Sequence, residues 1–209
     1  MRITDHIDLI DGTMANSYYL HSNGHHIIID AGTAGSGRKI VEFCRQKNIS
    51  PGIVLITHYH PDHIGGLFAL QDAYNPQIYA GAGEIDAIEG RAKIQPARSA
   101  LAKIVSSLAK PKPVREVKDA QSLKLDFIEV LPTPGHTPAS TSYVFKDDSA
   151  IFVGDALYER RGSLNINKTF TLDMNAAQAS RDRILSSGAV LVLPGHGNPV
   201  RLKPATGTQ

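Results

Sequence analysis

The chain has 209 residues, 42% apolar and 20% charged, which excludes a disordered or fibrous polymer and leaves ample length for a buried core. Lys and Arg total 22 against 20 Asp and Glu, too even a balance for nucleic acid or an anionic membrane to be the expected partner. No apolar run reaches the roughly 18 residues of a membrane span, and the opening MRITDHIDLIDG puts acids where a signal peptide needs apolar residues, so the expected location is the cytoplasm.

Taken in chain order, the first expected element is a buried strand at 26–30, ended by Ala31-Gly32-Thr33-Ala34-Gly35. Ser36 reads as the N-cap of a helix that places Ile40, Phe43 and Cys44 on one face. A second buried strand spans 53–57 and a third Gln77–Ala80. Residues 84–109, rich in Ala, Ile, Lys and Glu, read as a helical insert interrupted at Pro96 and lying over one edge of the active-site mouth. Lys110-Pro111-Lys112-Pro113 follows as a stiff connection. Strands are then expected at 127–131, 142–145, Ala150–Gly154 and 189–193. Between the last two, Asp173 reads as the N-cap of a helix that ends before Gly188 and buries Ala177, Ile184 and Leu185. The tail after Lys203 is expected to fray. Strands mixed with helices in two similar halves suggest packed sheets with helices outside, in one domain over 1–209.

The segment Thr57-His58-Tyr59-His60-Pro61-Asp62-His63-Ile64-Gly65-Gly66 carries the sharpest chemistry. In extended chain, residues two apart point the same way, so His58 and His60 can address one ion. Pro61 suits the first turn of a helix, and beyond that reversal Asp62 and His63 point elsewhere, toward a second ion. The bland alternative is a surface loop rich in histidine; four potential ligands in six positions, directly after an apolar strand, favour metal. Cys44 is the only cysteine, so any metal must be held by nitrogen and oxygen.

Pro134-Gly135-His136-Thr137, Val153-Gly154-Asp155 and Pro194-Gly195-His196-Gly197 each place a Gly before a His or Asp at the carboxyl end of an apolar strand, where sheet proteins gather functional groups. Each is weak singly. A carboxylate at a buried strand end nonetheless needs a partner, and a cation supplies one.

Through these segments the sequence resembles the metallo-beta-lactamase-fold hydrolases, from Asn16-Ser17-Tyr18 and Ile29-Asp30-Ala31-Gly32 through to Pro194-Gly195-His196-Gly197. The resemblance implies an α+β fold, a four-layer αββα sandwich of two mixed sheets with helices outside. It implies that His58, His60 and His136 hold one ion, that Asp62, His63 and His196 hold a second, and that Asp155 bridges them. The implied cofactors are two divalent ions, zinc first, with iron or manganese tolerated. Asp30 is expected to accept a hydrogen bond from a ligand histidine and fix its tautomer.

The implied reaction is hydrolysis of a small ester, thioester or lactone by hydroxide generated between the ions. This is glyoxalase-II-like or lactonase-like chemistry, although the C-terminal helical segment with which glyoxalase II grips glutathione is expected to be absent here. Asp62 is the expected residue that orients the nucleophile, and Tyr158 the expected donor to a substrate oxygen, with a packing role for Tyr158 as the competing reading. Arg160, Arg161 and Asn165 are expected at the surface, His6, His21, His25 and His26 in surface or structural roles, and Cys44 in the core. A mononuclear-iron persulfide dioxygenase is the second enzyme reading, against which stands Pro61, where those relatives carry Ala. Outside catalysis stands a metal-binding interaction protein on the same fold. The expected partner is a small-molecule substrate, with no nucleic acid and no membrane; a homodimer is left open.

Overall fold

Strands with apolar residues at every position bury both faces, and the alternation of their side chains decides which layer each residue joins. In the computed structural model, which describes residues 1–95 and 111–202, β1 (Ile7–Leu9), β2 (Tyr18–Ser22), β3 (His25–Ile29), β4 (Ile53–Leu55), β5 (Gln77–Ala80) and β6 (Val117–Asp119) form one sheet in that order. It is antiparallel from β1 to β3 and parallel from β3 to β6. The second sheet runs β13 (Val200–Arg201), β12 (Leu191–Pro194), β9 (Ala150–Gly154), β8 (Thr141–Phe145), β7 (Ile128–Pro132), with only β9 and β12 parallel. A hairpin of β10 (Tyr158–Arg160) and β11 (Ser163–Asn165) stands apart.

Ile27 and Ile29 of β3, Leu55 of β4 and Tyr79 of β5 point between the sheets, where they meet Tyr143, Phe145, Phe152, Leu191 and Leu193. The alternate residues Ile28, Val54 and Ile78 face outward, onto α1 (Ala34–Gln46) and α3 (Leu67–Tyr74) through Ile40, Cys44, Leu67 and Leu70. Val144, Ile151, Val153 and Val192 turn away from the inter-sheet core and meet Ile184 of α5 (Met174–Leu185). The order helices, sheet, sheet, helix is the expected αββα sandwich.

Local expectations moved in three places. The first helix starts at Ala34, and Thr33 caps it with φ −73° and ψ 171°, accepting from the Ser36 N–H at 3.4 Å. Ser36 therefore lies inside the first turn, where Gly37 packs against Gly66; that tertiary contact holds a glycine-rich turn helical against its propensity. On α5, Asp173 does cap, accepting from Asn175 N and Ala176 N. Its buried face, however, is Ala177, Ser180 and Ile184, while Leu185 is 38% exposed. One residue past Ile184 turns about 100° around the axis, off the buried stripe.

Of the expected insert at 84–109, the described residues are helical at their start and not over 89–95. A 3₁₀ turn (Ala82–Glu84) leads into α4 (Ile85–Ile88), which gives way at Gly90, φ +74°. Residues 96–110, including Pro96 and Lys110, and the tail 203–209 lie outside the described residues. No described helix is long and apolar enough to cross a membrane.

Candidate metal centre

The strand ends bring the seven expected donors together. His58 and His60 lie in the extended segment after β4; Asp62 and His63 sit on α2 (Pro61–Ile64), which begins at Pro61. His136, Asp155 and His196 follow β7, β9 and β12. The rings of His58, His60 and His136 form a triangle with centroids 4.7 Å apart on every side and each pair nearly perpendicular, at 84°, 89° and 86°. His60 Nδ1 stands 3.1 Å from His58 Nε2 and 2.9 Å from His136 Nε2. Asp62 Oδ2 lies 3.1 Å from His196 Nε2 and 3.8 Å from His63 Nε2. Asp155 lies between the two groups, with Oδ1 3.4 Å from His63 Nε2 and Oδ2 3.5 Å from both His136 Nε2 and His196 Nε2.

Hydrogen bonds behind this face settle which ring nitrogens are free. Asp30, buried, accepts from Thr57 N at 2.8 Å, from Thr57 Oγ1 at 2.7 Å and from His63 Nδ1 at 2.8 Å. A carboxylate only accepts, so His63 Nδ1 carries a proton and Nε2 faces the centre, as the sequence led us to expect. Thr57 has spent its hydroxyl proton on Asp30 and must accept from His58 Nδ1, 3.1 Å away; neutral His58 thus presents a lone pair at Nε2. Asp30 holds φ +56°, a conformation that costs a non-glycine residue about 1 kcal/mol and persists because three hydrogen bonds over-determine it. Asp30→Ala strands three buried donors. We predict a loss of about 3 kcal/mol or more in urea unfolding and about 10- to 100-fold weaker metal binding in a chelator competition.

Burial, with His136 close by, pushes His60 down to about 3, and burial with neighbouring His63 and His136 holds His58 well below the ordinary histidine value. Burial alone would raise Asp62 and Asp155; facing His63 and His196 outweighs it, bringing Asp62 to about 2 and Asp155 well down. Burial opposes a charge on His63, but Asp155, Asp30 and Asp62 together raise it well above the ordinary value.

This donor set fits divalent cations. His58, His60 and His136, then Asp62, His63 and His196, and a third overlapping trio of His58, His63 and Asp155, each bring one donor atom within 4.8 Å of the others. His63 Nε2 and Asp155 Oδ1 are buried without a hydrogen-bond partner, a costly arrangement that a shared cation relieves. All donors are nitrogen or oxygen, a set that suits zinc, iron or manganese.

Several supporting residues escaped the sequence. Asn16 Nδ2 donates to Pro194 O at 2.9 Å and Gly197 O at 2.8 Å, and Tyr18 donates to Pro194 O at 2.7 Å, pinning the His196 loop to the opposite sheet. Gly195 is required there, because a Cβ would stand 2.5 Å from Asp155 Oδ1 and 2.6 Å from His63 Cε1. Asn16-Ser17-Tyr18 figured in the family resemblance, but no local signal ties it to residues 178 and 181 positions away.

The donors open into a cavity of about 530 Å³ walled by Met14, Ala34, Pro61, Pro111 and Phe170, with Asn167 at one side. Tyr158, expected as a substrate donor, lines instead a neighbouring cavity with Asn165, Lys168 and Arg181, which shares Asn167 with the first. A part in the reaction would require a substrate that extends past Asn167. Arg160 and Arg161 are exposed. His6 pairs with Asp148 at 2.8 Å, His21 with Asp5 O at 2.9 Å and His26 with Tyr19 at 2.7 Å, all outside the donor set. Cys44 is fully buried, and burial raises its thiol to about 11, so it is inert core.

Comparison with known proteins fits this geometry. The family model for the metallo-beta-lactamase superfamily matches residues 10–196. A probable metallo-hydrolase of Bacillus subtilis (strain 168), YqgX, is 30% identical over 188 residues, covering 88% of this chain and 85% of that one. A hydroxyacylglutathione hydrolase of Albidiferax ferrireducens is 28% identical over 144 residues, 68% of this chain but only 47% of that protein. Among solved structures, TTHA1623 in a di-iron-bound form is 26% identical, covers 93% of both chains and superposes with a TM-score of 0.74. The BLEG-1 B3 metallo-beta-lactamase, 24% identical with a TM-score of 0.73 over 93% of both chains, shares the fold.

Proposed function

The chain belongs to the metallo-beta-lactamase superfamily, and on that premise we propose that it hydrolyses a small ester, thioester or lactone with a pair of divalent cations, zinc first among them. His58, His60 and His136 would hold one and Asp62, His63 and His196 the other, with Asp155 shared. The observation that carries this reading is the position of the Asp155 carboxylate, one oxygen 3.4 Å from His63 Nε2 and the other 3.5 Å from His136 Nε2. The chemistry such cations supply when bound is Lewis acidity, which polarises a scissile carbonyl and acidifies water.

The chain's own residues do the rest. Asp62, ionised at neutral pH because it is held at about 2, borders the cavity and orients the attacking water through its carboxylate. Met14, Ala34, Pro61, Pro111 and Phe170 offer an apolar wall that binds the acyl or ring portion of a substrate and excludes bulk water. Asn167 is placed to hydrogen-bond a substrate oxygen where the two cavities meet. No serine or cysteine nucleophile is needed.

The test is a panel of chromogenic esters, thioesters (a glutathione thioester among them) and lactones, run on zinc- and iron-loaded protein with and without chelator. Turnover of at least one class, abolished by chelator and restored by metal, is expected. Turnover of none would sink the hydrolase reading and favour a non-catalytic metal-binding protein.

A further inference from the structure

One buried carboxylate belongs to neither donor group. Glu84, at the end of the 3₁₀ turn after β5, is 0% exposed. Its Oε2 accepts from Tyr59 N at 2.8 Å; its Oε1 accepts from Thr137 Oγ1 at 2.8 Å and Ala139 N at 3.0 Å. Tyr59 lies between His58 and His60, and Thr137 follows His136. The first loop issues from the six-stranded sheet and the second from the five-stranded sheet. Glu84 thus joins, through three hydrogen bonds to one side chain, the two loops whose histidines form the ring triangle.

Among the described residues no Lys, Arg or His forms an ion pair with it. A buried, uncompensated carboxylate is expensive, and if Glu84 merely filled space, an apolar side chain would serve at lower cost. What only a carboxylate offers here is two acceptor oxygens, without a donor, facing three donors from separate loops. The Asp62 and His63 group is held otherwise: His63 leans on Asp30, and Ala31 N donates to His63 O at 2.7 Å.

We infer that Glu84 is a positioning residue that holds His58 and His60 in register with His136 and thereby sets the affinity of the three-histidine group for its cation. This rests on the metal reading above.

Glu84→Gln tests it with little change of shape: the amide keeps one acceptor oxygen and turns an NH₂ toward a donor. The variant is made in two backgrounds and zinc affinity is measured by competition with a chromogenic chelator. In His196→Ala, where the three-histidine group is intact, E84Q should weaken zinc binding about 10- to 100-fold. In His136→Ala, where the Asp62 and His63 group remains, it should change affinity less than about twofold, because none of the three hydrogen bonds of Glu84 reaches Asp62, His63 or His196. Equal losses in both backgrounds, or none in either, overturn the assignment. Should E84Q fail to fold, Thr137→Val, which removes one of the three hydrogen bonds, must show the same selectivity at smaller size, and its absence overturns the assignment equally. A wild-type chain that binds no divalent ion would instead bring down the metal reading, and this inference with it.

Discussion

Asp155→Ala is expected to lower kcat/KM by about a thousandfold or more, equivalent to about 4 kcal/mol of barrier, and to leave purified protein with less than its full metal. The Asp155 carboxylate is the one group that faces His63, His136 and His196 together, at 3.4, 3.5 and 3.5 Å. Without it five histidines and Asp62 remain, with one negative charge fewer between the two donor groups to which the proposed mechanism gives one dication each. His63→Ala should behave alike, since it removes a donor whose lone pair is aimed by Asp30. His25→Ala, at the exposed first residue of β3 and outside the donor set, should change neither activity nor metal content. Elemental analysis beside the hydrolysis assay reads both quantities. If His63→Ala kept full activity with a single bound ion, the two-cation mechanism would be wrong even with the fold right.

Gly66→Ala is expected to cost about 3 kcal/mol or more in urea unfolding. A Cβ at this position would stand 2.2 Å from Ala31 O, 2.7 Å from Gly37 Cα and 2.9 Å from Gly37 N. All three are backbone atoms, so no side chain can swing aside. Relief requires α3 to move away from α1, and that movement pulls on the ligand loop, because Gly66 N donates to Gly32 O and Ala31 N to His63 O. Metal affinity should therefore fall along with stability. Gly52→Ala, where a Cβ meets nothing within 4 Å, serves as the control and should be neutral. A Gly66→Ala protein as stable as its parent would show that the α1–α3 contact is looser than these distances require.

Much of the architecture was legible because it rests on period and on short-range spacing. Ile27-Ile28-Ile29, Val54-Leu55-Ile56 and Ile151-Phe152-Val153 read as strands buried on both faces, being short β-branched runs closed by turn residues, and Asp173 could be read as a cap because its partners lie two and three residues on. The His58 to His63 cluster was legible too, being local, whereas His136, Asp155 and His196, each after a glycine at a strand end and weak singly, were joined to it by the family resemblance. Of the strands no local pattern announced, β1, β6, β10, β11 and β13 are two or three residues long, too short for any period to register, and exist because a neighbour supplies their hydrogen bonds; β2, five residues long, was marked only by the family resemblance.

The sequence by itself determined the layers and the ligand types, because side-chain alternation along a strand and donor chemistry are properties of neighbouring residues. Only the tertiary structure decided how those ligands are held: which histidine Asp30 orients, that Glu84 spans two loops, that Asn16 and Tyr18 pin the turn carrying His196, and that Tyr158 faces a second cavity. The hydrogen bonds through which Asp30, Glu84, Asn16 and Tyr18 do this join residues 25 to 181 positions apart, and the cavity that Tyr158 lines depends on how the hairpin packs against α5; no local periodicity carries that information.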